Sequence, residues 1–353
     1  MKIKVAFLEN DKTYLSRIIS AFETKYAEKF ELYSFTDKDV ALSCVDSARI
    51  DVLLANNSFS INPDELPSRC AFAYLVDSNG IESIGEVRAI CKFQRADLIY
   101  KQILGLYAEK SSDVLGFLPS EGKGKILIFT SPCGGVGTSS MAAACAVQAA
   151  AKGKKVLYLN LEKFGGADLF FNGSGQYCLS DIIMALKSKK TNLPLKLESC
   201  VRQDPRNVFY YAQARNALDV MELTGEEILR LISAIRLRGE FDHIIIDIDF
   251  EIKTEMLNIY RQAHSIIFVS DGSAEANVKV EQAYRALTLL EQSADMPLTN
   301  RIQLIYNRFS SSSGQVLDIP GLKVLGGTPR YAGGKTQQVI EELSRMAVLG
   351  NVL

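Results

Sequence analysis

Short apolar runs alternate with longer segments of helical periodicity in the first part of the chain. Runs rich in Val, Ile, Leu and Phe are typical of strands, whereas apolar residues three and four positions apart are typical of one helix face. Strands that alternate with helices predict a parallel sheet with helices on its faces. The predicted strands span residues 3–8, 30–35, 51–55, 71–76 and 96–99, and an amphipathic helix spans residues 12–27.

The same alternation resumes after residues 111–124, where Ser, Gly and Pro come together without periodicity. Several later strands are nearly continuous in Val, Ile and Leu, as expected of strands covered on both faces. We therefore predict two doubly wound α/β domains with parallel sheets, over residues 1–112 and 122–353. The second is predicted to contain strands at 125–130, 155–160, 208–212, 243–249, 265–270 and 301–308, and helices at 138–151, 179–188, 225–238, 274–292 and 336–349.

Composition and charge narrow the functional classes. Of the 353 residues, 47% are hydrophobic and 23% are charged, and the formal net charge is -1 at pH 7. Such a chain gives no electrostatic reason to expect nucleic acid or an anionic membrane as a partner. No apolar run is long enough for a signal peptide or a membrane span. The seven cysteines show no metal-binding spacing and are expected to be reduced thiols, so we expect a cytoplasmic protein.

A glycine-rich loop follows the first strand of the second domain and leads into an alanine-rich helix. Glycines allow a tight turn and let backbone N–H groups face a phosphate chain, and the helix N-terminus adds partial positive charge. This order suits a nucleotide, although a glycine loop alone also fits a tight strand-to-helix turn. The candidate nucleotide-binding residues of the loop are Cys133, Gly134, Gly135, Val136, Gly137, Thr138, Ser139 and Ser140.

The loop and the strands around it resemble the motifs of the MinD/ParA ATPases. The segment SPCGGVGTSS at residues 131–140 resembles the deviant Walker A motif of that family, and KKVLYLNL at residues 154–161 resembles its second strand. The segment FDHIIIDID at residues 241–249 resembles the Walker B strand. The resemblance implies that ATP and Mg²⁺ bind here, with Ser139 and, through water, Asp247 as the metal site.

The same family resemblance implies a site for the base. Asn307 and Arg308 end a late predicted strand and resemble the family's adenine-reading corner. Pro329 lies in a segment that resembles the proline-containing loop beside the base. Because Asn is common wherever chains reverse, a turn-forming role for Asn307 remains the alternative.

The loop departs from the family pattern at both of its lysines. Thr138 replaces the lysine that reaches the β- and γ-phosphates, and Cys133 replaces the lysine that reaches across a family dimer. Positive charge placed on a developing phosphoryl transition state is worth on the order of 10³-fold in rate or more. We therefore expect ATP binding with slow hydrolysis at most. A redox-sensitive thiolate with a lowered pKa is the alternative role for Cys133, because this residue precedes a helix N-terminus.

Two positions after the second strand bear on water activation. Asn160 and Glu162 stand where the family carries two acidic residues. An amide cannot act as a carboxylate base, so Glu162 is the candidate catalytic residue for water activation. A surface glutamate beside Lys163 is the alternative interpretation of Glu162.

The first domain resembles a response-regulator receiver. A receiver needs an aspartate that accepts phosphate, and an amide at that position cannot form an acyl phosphate. We therefore expect an atypical receiver-like domain that works by shape, as a docking or dimerisation face. A flavodoxin-like domain unrelated to receivers is the alternative. Counted strand by strand, the acidic pair falls at Glu9-Asn10-Asp11, the acceptor at Asn56, the hydroxyl near Asp77-Ser78 and the lysine near Lys101.

A degenerate receiver joined to a MinD/ParA-type domain whose loop reads GGVGTS, at residues 134–139, resembles the TadZ/CpaE family of pilus-assembly localisation proteins. The resemblance implies a homodimer that encloses nucleotides between its ATPase domains. It also implies pilus or tight-adherence secretion machinery proteins as partners. Placement at the cell pole or the inner membrane face would come through those partners. Cys133 departs from that family's usual lysine too.

Three other functions stay open at the sequence level: an active ATPase, a relative of bacterial tyrosine kinases, and a plasmid or chromosome partitioning protein. An active MinD/ParA-type ATPase could serve cell-pole, septum or DNA positioning. The DNA-related role is disfavoured, because the chain has no basic stripe of the kind that nonspecific DNA binding needs. Bacterial tyrosine kinases have a similar loop but usually carry a C-terminal tyrosine cluster, whereas the last tyrosine here is Tyr331.

The predicted helix at 336–349 is apolar on one face and poor in lysine, so we expect it to pack against the sheet rather than bind an anionic membrane.

Overall fold

The computed structural model describes residues 2–111, 123–188, 191–294, 297–312, 314–331 and 333–353. Its described residues form two compact units. The first unit takes the described residues up to Ser111 together with Met184–Cys200, and the second unit takes the others. The domain boundary predicted between residues 112 and 122 lies outside the described residues.

The first unit is built around a sheet of six strands in the order β2-β1-β3-β4-β6-β5. The first five in this order are parallel, and the short β5 pairs antiparallel with β6. This is the doubly wound arrangement that the alternating pattern predicts. Its elements are β1 (Ile3–Leu8), α1 (Lys12–Tyr26), β2 (Phe30–Phe35), α2 (Lys38–Ser47), β3 (Val52–Asn56), β4 (Ala71–Val76), β5 (Ser83–Ile84), β6 (Val87–Cys91) and α3 (Ala96–Lys110).

The side chains of β1 show why these segments fold as they do. Val5 and Phe7 join the core that includes residues of α1 and α3, whereas Ala6 and Leu8 join the core that includes residues of α2. Successive strand residues point to opposite faces, so an apolar run without polar alternation needs helices on both sides. Helix α1 begins after Asp11, whose carboxylate accepts hydrogen bonds from the first N–H groups of the helix.

One predicted strand of this unit is wrong. Residues 96–99 form the first turn of helix α3, and the fifth parallel strand is β6, which lies before them. A short apolar run is ambiguous between the two structures, and here the run continues as helical periodicity to Lys110.

The second part of the chain adds an eight-stranded sheet in the order β14-β13-β12-β7-β11-β8-β10-β9. Its strands are parallel except for β9 at one edge. The elements are β7 (Lys125–Thr130), α4 (Thr138–Ala151), β8 (Val156–Asn160), α5 (Leu179–Lys187), α6 (Leu193–Cys200), β9 (Val201–Gln203), β10 (Val208–Tyr211), α7 (Ala217–Met221), α8 (Gly225–Leu237), β11 (His243–Asp247), α9 (Thr254–Tyr260), β12 (Ser265–Ser270), α10 (Ala274–Ala294), β13 (Ile302–Tyr306), β14 (Lys323–Gly327), α11 (Thr336–Ser344) and α12 (Ala347–Gly350).

Helix α6 belongs to the first unit although its sequence lies between elements of the second. It packs along α3, and the Tyr100 hydroxyl donates to the Glu198 carboxylate at 2.6 Å. The ammonium group of Lys196 is buried and lies 2.9 Å from the Glu109 carboxylate. Helix α3 of the receiver-like fold is therefore covered by a later segment of the same chain.

The predicted last helix is broken into α11 and α12. The side-chain amide of Gln148 on α4 donates to the carbonyls of Ser344 and Met346 at 2.8 and 2.9 Å, which lie at the break. Buried Ile340 and Leu343 lie on α11, which packs against α4. We expected this segment to pack on the sheet, but its main neighbour is the helix that follows the glycine loop.

Candidate functional site

The glycine loop lies at the carboxyl edge of the second sheet, between β7 and α4. Gly135 and Gly137 have φ angles of +75° and +86°, which L side chains rarely adopt. Gly137 directly precedes α4, so the first N–H groups of that helix lie at the loop. The sequence thus folds here into the turn and helix N-terminus that a phosphate group needs.

Asn307 holds this loop in place. Its Nδ2 donates to the Val136 carbonyl at 2.8 Å, and its Oδ1 accepts from the Thr328 hydroxyl at 3.0 Å. A Cβ atom on Gly137 would lie 2.4 Å from the same Nδ2, so only glycine fits there. Asn307 is buried, its side chain bonds the loop backbone and Thr328, and its backbone N–H donates to the Ser270 carbonyl at 2.7 Å.

Carboxylates and an amide meet beside Ser139, at the ends of β8 and β11. The Ser139 hydroxyl donates to the Glu162 carboxylate at 2.8 Å. Asp247 is fully buried, and its Oδ2 accepts from the Tyr158 hydroxyl at 2.7 Å and from Asn160 Nδ2 at 2.9 Å. Strands β8 and β11 are neighbours in the sheet, so these residues, distant in sequence, share one edge.

The Asp247 carboxyl has a perturbed pKa. Burial first, and the negative charge of Glu162 second, raise its pKa from 3.8 to about 8, while the hydroxyls of Tyr158 and Ser139 and the Asn160 amide oppose the rise. Its Oδ1 is buried and has no hydrogen-bond partner among the described residues. A buried carboxylate oxygen without a partner is costly unless a cation or a donor reaches it.

Cys133 is not the reactive thiol that its position before a helix indicated. Its side chain is buried, and the sulfur lies 3.3 Å from the Ala276 carbonyl. Burial raises the pKa of the Cys133 thiol, so the predicted redox-sensitive thiolate is wrong. Helix α4 begins only at Thr138, five residues after Cys133.

Two cavities adjoin at the loop. The first, which we call the phosphate cavity, has a volume of about 380 Å³, and the second, the base cavity, about 230 Å³. Ser140 and Arg308 line both. The phosphate cavity is lined by Ser131, Cys133, Gly134, Gly135, Gly137, Thr138, Ser139, Ser140, Glu162, Ile248, Asp249, Phe250 and Arg308. The base cavity is lined by Ser140, Asn307, Arg308, Pro329, Tyr331, Gly334, Thr336, Val339 and Leu343.

Most of the sequence-derived candidates therefore come together around one site. Val136 and Asp247 are the exceptions, because both are buried and neither lines a cavity. Sequence reasoning missed Tyr158, whose hydroxyl contacts Asp247. It also missed Asp249 and Phe250 in the cavity wall. Asp249 was visible as the last carboxylate of the Walker B-like segment, but nothing local marked Tyr158.

Lys163 does not replace the lost lysines in this structure. Its ammonium group pairs with the Glu251 carboxylate, and its backbone N–H donates to Asp249 at 3.0 Å. It lines neither cavity.

The first unit has its own polar cluster at the carboxyl ends of its strands. Asn56 Nδ2 donates to both carboxylate oxygens of Glu9, at 3.0 and 2.9 Å. The buried Lys92 ammonium lies 3.3 Å from Glu9 and 2.8 Å from Asp77. Asp11 instead caps helix α1, so only one member of the predicted acidic pair faces this cluster.

The lysine of this cluster was predicted at the wrong position. Lys92 directly follows β6 and reaches Glu9, whereas Lys101 lies within helix α3. The error follows from taking residues 96–99 as the fifth strand. With Asn56 as an amide donor to Glu9, the cluster is internally paired and has no carboxylate at the acceptor position.

Known proteins resemble this chain in the sequence of its first part and in its fold. Residues 1–108 match the family model described as the TadZ-like receiver domain. A ParA family ATPase from Chlorobium tepidum TLS is similar in structure, with a TM-score of 0.51 and 17% identity over 65% of this chain and 96% of that chain. The cell division ATPase MinD of Pyrococcus furiosus gives a TM-score of 0.48 and 15% identity over 65% of this chain and 100% of that chain. Curated proteins give no match.

The family match and the ParA similarity confirm the predicted fold class and the receiver-like first domain. At 17% identity the ParA similarity shows the fold alone. Within the part of the chain that the structure describes, no helix is both long and apolar enough to cross a membrane.

Proposed function

We propose that this chain, a TadZ/CpaE-type protein that joins a TadZ-like receiver domain to a domain of the MinD/ParA fold, binds ATP with Mg²⁺ and hydrolyses it slowly or not at all. One observation carries the proposal. The phosphate cavity keeps the glycine turn, the helix N-terminus and the Ser139 hydroxyl, yet none of its described lining residues is a lysine.

The charge balance of the cavity supports weak turnover. Phosphoryl transfer depends on positive charge placed where negative charge develops. Thr138 and Cys133 supply none, and Glu162 and Asp249 add carboxylates to the same wall. The one Lys or Arg among the described lining residues, Arg308, donates to the Gly135 carbonyl. Loop amides and the helix N-terminus can still hold a phosphate chain in its ground state. Binding without efficient hydrolysis follows from that difference.

The residues present fit Mg²⁺. Hard divalent cations prefer carboxylate and hydroxyl oxygens, and Mg²⁺ usually keeps several waters and takes phosphate oxygens as further ligands. Ser139 would offer its hydroxyl oxygen, and the unpartnered Oδ1 of Asp247 would be reached through water. Bound Mg²⁺ would supply charge neutralisation for the phosphates. Glu162, which already accepts from Ser139, would orient that hydroxyl or a nearby water.

The role we propose for the bound state is assembly rather than turnover. The chain would act as a nucleotide-bound homodimeric scaffold of a pilus (tight-adherence) secretion system and would recruit its machinery proteins. Placement at the cell pole or the inner membrane face would come through these partners. The match of residues 1–108 to the TadZ-like receiver domain supports this role. Because Asn56 cannot accept a phosphoryl group, this domain would act by shape, as a docking or dimerisation face.

Calorimetric titration of the full chain with ATP and Mg²⁺, paired with mass determination by light scattering, tests this function. We expect ATP to bind and the mass to double. Gly137→Ala should abolish binding, because its Cβ would meet Asn307. Gly153→Ala is the matched control, since Gly153 also has a positive φ but no neighbouring atom within 4 Å.

Two results would decide against the proposal. If ATP neither binds nor changes the mass, a nucleotide-controlled scaffold is excluded. If ATP binds and turns over quickly, the chain is an active MinD/ParA-type ATPase, and positioning work driven by hydrolysis becomes the better account.

A further inference from the structure

Arg308 lies where the phosphate cavity and the base cavity meet. We propose that its guanidinium binds the phosphate chain of the nucleotide and supplies part of the positive charge that Thr138 and Cys133 no longer provide. This inference rests on the proposed nucleotide binding. It differs from the sequence-based expectation, in which Arg308 reads the adenine.

The position of the side chain carries the first step. Arg308 Nη1 donates to the Gly135 carbonyl at 3.1 Å, so the guanidinium lies against the glycine loop itself. A Cβ atom on Gly137 would lie 3.7 Å from Arg308 Nη2. A nucleotide with its phosphates on the loop and its base in the neighbouring cavity would have to pass this group.

The charges around the two cavities carry the second step. Among the described residues that line them, Arg308 is the only Lys or Arg, whereas Glu162 and Asp249 are acidic. Beside these two carboxylates, a cation close to the phosphate oxygens would stabilise a bound polyphosphate. Guanidinium groups suit phosphate because their fixed fork of donors matches two oxygens at once.

The backbone of Arg308 carries the third step. Its φ is +58°, a left-handed conformation that is uncommon for a residue other than Gly, Asn or Asp. The preceding Asn307 is fixed by its bonds to Val136 and Thr328, which leave the chain little choice of direction. The turn therefore aims Arg308 over the loop. Asn307 acts as the positioning residue of this corner, and Arg308 as the residue that contacts the ligand.

The test uses ADP with Mg²⁺ as the probe, titrated into the full chain at low and high ionic strength. Arg308→Gln keeps a donor for the Gly135 carbonyl but loses the charge, and Arg308→Lys keeps the charge. Both variants have the same backbone strain as the native residue. Arg330→Gln is the control, because Arg330 is exposed and lines neither cavity.

We expect Arg308→Gln to weaken ADP binding by about 10- to 100-fold, as for a lost charge-assisted hydrogen bond, and to reduce its dependence on salt. Arg308→Lys should bind about tenfold more tightly than Arg308→Gln. Wild-type affinity in Arg308→Gln, or equal losses in both variants, would overturn the phosphate assignment while leaving nucleotide binding intact. Failure of the wild-type protein to bind ADP would overturn the proposed function itself, and this inference with it.

Discussion

The Asp247→Asn substitution should separate the stability of the metal-free protein from its response to Mg²⁺ and ATP. The Asp247 carboxyl is fully buried beneath the phosphate cavity, and its Oδ1 has no partner among the described residues. Without a cation this carboxyl is a source of instability. With Mg²⁺ and nucleotide it becomes part of the metal site that we propose.

The pKa gives the size and the sign of the effect. The Asp247 pKa rises from 3.8 to about 8, so the folded protein keeps a proton that the unfolded chain releases. Stability linked to this carboxyl is therefore fully present below about pH 4 and is lost as the pH rises toward 8. At about 1.36 kcal/mol per pH unit, the loss between pH 3.8 and pH 7 is on the order of 4 kcal/mol.

Asn is neutral at every pH and removes this dependence. It can still accept from Tyr158 and Asn160, but its new amide donors in place of Oδ1 would lack a partner, which costs about 1–3 kcal/mol. The net gain for the metal-free variant at pH 7 is about 1–3 kcal/mol, or about 5 °C in Tm for a domain of this size. In Mg²⁺ and ATP, the wild-type protein should gain stability and the variant much less.

Thermal unfolding measured in EDTA at pH 5 and pH 7 checks the predicted pH dependence. The same measurement in Mg²⁺ and ATP checks the predicted stabilisation by the ligand. Asp249→Asn is the control, because Asp249 lines the same cavity but is only partly buried. Identical pH dependence in Asp247→Asn and wild type would refute the electrostatic reasoning. Equal stabilisation of the two proteins by Mg²⁺ and ATP would refute the metal assignment.

Four other substitutions test separate parts of the account. Thr138→Lys should raise the single-turnover rate of ATP hydrolysis on the order of 100-fold, and an unchanged rate would show that the missing charge is not the limit. Asn307→Ala should lower both nucleotide affinity and the free energy of unfolding, the latter by about 2 kcal/mol in urea titrations; wild-type affinity would contradict its role in holding the loop. Asn56→Asp should destabilise the first unit by about 2 kcal/mol, because a carboxylate would then face Glu9, and an unchanged urea midpoint would argue against that contact. Tyr100→Phe should cost about 1 kcal/mol and speed hydrogen exchange in α6, whereas unchanged exchange would mean that this hydroxyl does not hold the helix.

The central strands of both sheets were predictable because their burial leaves a simple pattern. Ile244, Ile245 and Ile246 are all fully buried in β11, and such a run has few alternatives to a covered strand. Edges and short elements were harder. Strand β9 has only three residues, and β6 precedes a helix whose first turn is apolar except for Asp97. Their structure is decided by neighbours in the sheet, which a local pattern does not contain.

The site was predictable in its backbone but only partly in its side chains. The glycine loop and the Walker B-like carboxylate are recognisable in the local sequence. They lie at one edge of the sheet because each follows or ends one of two neighbouring parallel strands, β7 and β11. The contact of Asn307 with Val136 depends on the packing of residues 171 positions apart. The packing of α6 against α3 involves an ion pair between Lys196 and Glu109, two residues that are far apart in sequence and that no local pattern relates.

The most direct test is to identify the nucleotide that stays on the protein after a single-turnover incubation with radiolabelled ATP and Mg²⁺. We predict that the loop holds ATP, and that most of it remains ATP after many times the turnover period of an ordinary ATPase. Recovery of mostly ADP would contradict the claim that the loop binds without efficient hydrolysis. Recovery of no bound nucleotide would contradict the claim that it binds at all.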